Sequence, residues 1–143
     1  MSLSIINRLI FIFSLLGLGV SAFLLYEYSL NTPIICPLGG GCDIVRSSPY
    51  SRFLGISLPV LGIAFYLMVA SLSIARSQKL SSKIFFKLQF LISAAGVGFG
   101  IYLTSLEAFV IKAYCFWCVL SFIISAVILT LVFISRKIDE NRN

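Results

Sequence analysis

The chain contains no histidine, and only 11% of its 143 residues are charged, against 59% that are hydrophobic. Soluble domains carry roughly a quarter charged residues, so a water-facing surface cannot be built from this composition. A soluble enzyme, a nucleic-acid-binding module and a disordered tail are excluded. The absence of histidine removes the commonest general base and the commonest metal ligand near neutral pH. Four cysteines remain, and any chemistry has to be carried largely by sulfur. The length suits a single domain.

The scarce charges leave four long gaps. Leu9–Tyr26, Phe53–Ala75, Leu88–Leu106 and Ala113–Ser135 are free of Asp, Glu, Lys and Arg. Each approaches or exceeds the roughly 20 apolar residues that span a bilayer. Backbone donors in lipid must be satisfied within their own segment, so the expected fold is an all-α integral membrane protein. It is a four-transmembrane-helix bundle with spans over about 9–28, 53–75, 85–107 and 114–135. Gly17, Gly19, Gly96, Gly98 and Gly100 suit spans whose neighbours approach closely. Arg8 and the apolar run after it also have the start of a signal peptide, with small residues at Val20-Ser21-Ala22. The run continues through Phe23-Leu24-Leu25-Tyr26, and a retained helix is the reading adopted.

Basic residues fall unevenly between the connections. Arg8, Arg76, Lys79, Lys83, Lys87, Arg136, Lys137 and Arg142 lie on one side, and Arg46, Arg52 and Lys112 on the other. By the positive-inside rule both termini are expected in the cytoplasm. The net charge of +6 then records orientation rather than a polyanionic partner, since no block of like charges accompanies it.

This orientation puts all four cysteines on the extracytoplasmic, oxidising side. Cys115-Phe116-Trp117-Cys118 is a C-x-x-C at the start of the fourth span. The i, i+3 spacing sets both sulfurs on one helix face, and the partial positive charge of a helix N-terminus favours a thiolate there. Cys36 and Cys42 flank Pro37-Leu38-Gly39-Gly40-Gly41, whose glycines suit a mobile loop or simply a turn. Asp43 is expected to cap a short half-helix ended by Pro49, with Ile44 and Val45 resting on the membrane and Arg46 facing water. Ser47 and Ser48 lie nearest the bundle mouth, and Pro59 suits a first helical turn. Glu107 reads as an interfacial carboxylate paired with Lys112, or else as a proton-handling group. Two close cysteine pairs also fit a four-cysteine zinc site or two static disulfides in a structural membrane protein. Four cysteines allow three pairings. A transporter is poorly supported, because the spans lack a mid-membrane charge.

Taken in order, Cys36-x5-Cys42, Ser47-Ser48, Leu58-Pro59 with Gly62-x-x-Phe65-Tyr66, and Cys115-x-x-Cys118 resemble the vitamin K epoxide reductase family. The likeness is to its bacterial and archaeal quinone-reducing homologues, and it runs from the first span to the fourth. The resemblance implies a thiol–disulfide oxidoreductase of a prokaryotic cell membrane, with Cys115 and Cys118 as the active centre beside a quinone. Cys118 would face the quinone and Cys115 would exchange with Cys42. Cys36 would take electrons from a separate thioredoxin-like dithiol protein. The acceptor would be of menaquinone, ubiquinone or phylloquinone type, with no metal. Ser48, Leu58 and Phe122 occupy the family's quinone-binding positions. Animal members place an asparagine at the position of Leu58 and a tyrosine at that of Phe122, so two polar handles for a vitamin K oxygen are missing. The resemblance therefore implies plain quinone reduction rather than epoxide reduction.

Overall fold

A computed structural model describes residues 2–78 and 83–142; Lys79, assigned above to the basic side, lies outside the described residues. Four helices are long and apolar enough to cross a membrane: α1 (Leu3–Leu30), α3 (Leu58–Ser77), α4 (Lys83–Leu106) and α5 (Phe116–Arg142). A short helix α2 (Gly41–Ser47) lies between α1 and α3, and a single turn of π-helix (Glu107–Ile111) prolongs α4. The four-helix membrane architecture and the half-helix are as expected.

Several boundaries differ from the expectation, α1 beginning at Leu3 rather than near residue 9. The second span begins at Leu58 rather than Phe53, because Arg52–Phe53 (β1) and Ile56–Ser57 (β2) pair as a small hairpin. Leu54 and Gly55 at its tip both have positive φ, 51° and 83°, the requirement of a primed two-residue turn. Phe53, Leu54 and Ile56 are thus used outside the helix. The fourth helix runs past Ser135 to Arg142, its polar last turns supported by an Arg136–Glu140 pair at 3.3 Å. Pro59 does sit in the first turn of α3.

The core is where α1, α3 and α5 meet: Ile6, Ile10, Tyr66, Val69, Ile128 and Val132 are essentially inaccessible. Small residues set the approach. A methyl group on Gly17 would lie 2.2 Å from the Tyr66 ring, on Gly96 2.4 Å from Phe65, and on Gly100 2.4 Å from Phe122. Gly19 and Gly98 meet nothing within 4 Å. They lie two residues off those positions, which on a helix is nearly the opposite face.

At the end holding the α1 N-terminus, Asn7 donates to the Ser73 carbonyl at 2.8 Å. Arg76 donates to Gln89 and Ser135, with its guanidinium 3.7 Å from the Phe86 ring centroid. These bonds tie α1, α3, α4 and α5 together and pair the Arg76 and Gln89 side chains, as an apolar surrounding favours, while the buried Asn7 Oδ1 has no partner among the described residues. The helix connections place all four cysteines at the other end of the bundle.

Candidate functional site

At that end the chain leaves α1 and closes a disulfide between Cys36 and Cys42, with Cα atoms 6.0 Å apart. Cys115 and Cys118 are free thiols. Cys42 is 1% exposed and Cys115 3%, and with Ile34 and Val45 they form one buried cluster. Cys36, Trp117 and Cys118 pack against it. The loop pair and the helix pair therefore meet in one apolar cluster, with Cys42 and Cys115 in its buried part.

The loop is held there by bonds that spacing did not reveal. The Asp43 carboxylate does not cap α2, whose N-cap is Gly40. It reaches back to accept the Ile34 N–H at 3.1 Å and pairs with Arg46 at 3.3 Å, while Arg46 donates to the Thr32 carbonyl. Arg46 is thus half-buried rather than free in water, and Val45 faces the cysteine cluster rather than the membrane. The Trp117 indole N–H donates to the Ile35 carbonyl at 2.8 Å, tying the approach to Cys36 onto α5. Of the three glycines, only Gly39 takes a positive φ, 103°. Gly41 serves close approach, since a Cβ there would lie 2.2 Å from the Tyr114 carbonyl oxygen. The triple glycine is in large part a fitted contact.

Beneath Cys118 lies a cavity of about 230 Å³ between the long helices. Leu58, Phe65, Phe99 and Phe122 supply apolar wall, and Tyr28, Glu107 and Cys118 also line it. Its size is below the roughly 300–1,000 Å³ of drug-sized pockets. Leu58 and Phe122, singled out in the sequence, both line it. Ser48 is not among the lining residues; its hydroxyl donates to the Val45 carbonyl at 2.7 Å and closes α2. Ser47 likewise donates to carbonyls of α2. Phe116 and Trp117 pack on the cysteine cluster instead of walling the cavity.

Glu107 is the largest departure from expectation. It does not pair with Lys112: it is 3% exposed, and its carboxylate accepts the Cys115 N–H at 3.3 Å. Glu107 continues the face of α4 that carries the buried Phe86, Gln89 and Ser93 and the close-packed Gly96 and Gly100, at helical spacing. Phe109 and Val110 of the π-turn remain exposed, and Lys112 ends the turn with φ 55°. Single π-turns inside helices are frequent at functional sites. The signal in the sequence was a lone acid at the end of an otherwise charge-free stretch.

A hydrogen bond from Cys118 holds the Cys115 thiol below its ordinary value, overcoming the opposing effect of burial. A thiolate, not a thiol, is the nucleophile, so Cys115 alkylation in the reduced protein should rise with pH about a midpoint below the ordinary one. In Cys118→Ala the donor is gone and burial remains, and the midpoint should move to higher pH. Iodoacetamide labelling at Cys115, followed by mass spectrometry across pH, measures both.

Compared with known protein families, residues 8–133 match the vitamin K epoxide reductase family. The chain belongs to that family. Over 54 residues it is also 39% identical to thiol-disulfide oxidoreductase LTO1 of Arabidopsis thaliana, a segment that makes up 37% of this chain. The match spans 14% of that relative's length. Four candidate membrane spans together with family membership make the chain an integral membrane protein.

Proposed function

We propose that this chain is a membrane thiol–disulfide oxidoreductase that oxidises a separate, extracytoplasmic thioredoxin-like dithiol protein and passes the electron pair to a membrane quinone. It thereby supports disulfide formation outside the cytoplasm, with both termini inside. The observation that carries this reading is the division of the helix cysteines between two surroundings. Cys115 belongs to the buried cluster with Cys42, whereas Cys118, packed against that cluster, is the one of the two that also lines the apolar cavity.

The chemistry follows thiol–disulfide exchange, in which a thiolate attacks one sulfur of a bridge and the other sulfur leaves. A partner thiolate attacks Cys36, the less buried loop cysteine, and Cys42 leaves; the partner's second thiol then releases Cys36. Cys42 attacks Cys115 of an oxidised helix pair, and Cys118 leaves. Cys36 closes on Cys42 again, and the helix pair is left as two thiols. The quinone, when bound, takes the two electrons and two protons that those thiols lose. Phe65, Phe99, Leu58 and Phe122 would hold its ring, and the absence of a polar side chain at Leu58 and Phe122 suits a plain quinone. Ser48 would act through α2, the helix that carries Cys42, rather than by touching the ring.

The test is a trap. Removing the resolving sulfur in Cys36→Ser should leave the Cys42–Cys115 bridge standing when the purified protein is oxidised with quinone. Non-reducing peptide mapping should recover that cross-link. A bridge from Cys42 to Cys118, or none, contradicts the relay.

A further inference from the structure

The reaction above requires Cys118 to lose a proton, and the chain has no histidine to take it. The Cys118 thiol already donates to Cys115, so its proton stays on sulfur until a second acceptor removes it. Two carboxyl oxygens lie where that acceptor is needed. Glu107 lines the cavity with Cys118, and one of its oxygens accepts the Cys115 N–H, three residues before that thiol. No other Asp or Glu lines this cavity. The remaining titratable groups nearby are Tyr28 of α1, Tyr66 of α3, whose hydroxyl is bonded to Ser121, and Cys115, with Arg46 of α2 beyond Tyr28; Lys112, on the same turn, points to solvent.

We infer that Glu107 is a catalytic proton carrier: its carboxylate takes the Cys118 proton as that sulfur becomes nucleophilic and returns it to the oxygen of the reduced acceptor in the same cavity. This rests on the oxidoreductase reading and adds a residue to it. The balance is complete. Two thiols lose two electrons and two protons as the Cys115–Cys118 bond forms, and the acceptor gains both. One proton travels through Glu107. The second leaves Cys115 to water at the bundle mouth, and the acceptor's far oxygen takes an equivalent one.

Glu107→Gln separates this role from a positioning role. Glutamine keeps a carbonyl oxygen for the Cys115 N–H but cannot accept a proton. Two measurements apply: quinol formation from a reduced thioredoxin-like donor, and, in reduced protein stripped of quinone, alkylation of Cys118 read by mass spectrometry. General acid–base catalysis contributes about 10²–10⁴-fold, so quinol formation should fall by roughly a hundredfold. Cys118 alkylation between pH 6 and 8 should slow in parallel, and Glu107→Asp should recover part of both. The melting curve should stay as in the wild type. Glu107→Gln equal to wild type in both assays overturns the inference, as does a fall in melting temperature, which would make Glu107 a structural acceptor. If the wild type itself makes no quinol, the oxidoreductase reading fails, while the alkylation assay still decides the role of Glu107.

Discussion

Cys118→Ala is expected to abolish quinol formation from a reduced dithiol donor, with a loss of at least about a hundredfold, as removal of an attacking group in covalent catalysis produces. Cys118 is the one cysteine whose side chain lines the cavity. Without it the helix pair cannot close a bridge, and no two-electron donor faces the acceptor. The first half of the relay should survive. Cys115 keeps its place in the cluster with Cys42, and its thiolate can still attack the loop disulfide. Because Cys36 remains to close on Cys42 and release Cys115, the Cys36–Cys42 disulfide should persist beside a free Cys115 thiol and be visible by non-reducing peptide mapping. Undiminished turnover in this variant would overturn the relay.

The second large effect is expected from one methyl group. In Gly41→Ala the new carbon would meet the Tyr114 carbonyl oxygen at 2.2 Å and its carbonyl carbon at 3.1 Å. Both are backbone atoms, which cannot rotate aside as a side chain does. The first turn of α2 must therefore lift, and Cys42, the next residue, lifts with it. Tyr114 directly precedes Cys115, so the displacement opens the contact through which exchange takes place. Misplacing reacting atoms by about 1 Å can cost 100-fold, and loop-to-helix exchange should slow by about that much. Gly40→Ala is the matched control: its φ is −75° and a methyl there meets nothing within 4 Å. Stopped exchange followed by acid trapping should show Gly40→Ala near wild type and Gly41→Ala far below it. Equal rates for the two variants would mean that the fit of α2 against Tyr114 does not govern exchange.

The two glycines show how far the sequence could be read. Gly39, Gly40 and Gly41 are indistinguishable as letters, and a flexible hinge was a reasonable expectation of all three. Which one needs a positive φ and which one needs the absence of a Cβ depends on what lies opposite, here a carbonyl more than 70 residues later in the chain. The same holds for Glu107. Its position at the outer end of the third span suggested an interfacial carboxylate paired with Lys112, but it lies on the buried face of α4 and meets the Cys115 N–H, a partner that only the packing of the following turn supplies. The hairpin at residues 52–57 is a further case. Phe53 and Ile56 are as apolar as any residue of a span, and only the primed turn at Leu54-Gly55 takes them out of the helix. By contrast, the four spans, the half-helix and the C-x-x-C at a helix start were legible. They depend on composition, on charge-free length and on local spacing, all of which act within one segment.

The scarcity of charge and the lack of histidine by themselves determined that this chain is a membrane bundle whose chemistry rests on sulfur. They did so because lipid admits few charges and demands internally bonded helices. Only the tertiary structure decided how the four sulfurs are shared out. Packing brought Cys115 against Cys42, turned Cys118 to an apolar cavity and set a buried carboxyl beside it. Those relations join α1, α2, α4 and α5, and no single segment of the chain contains them.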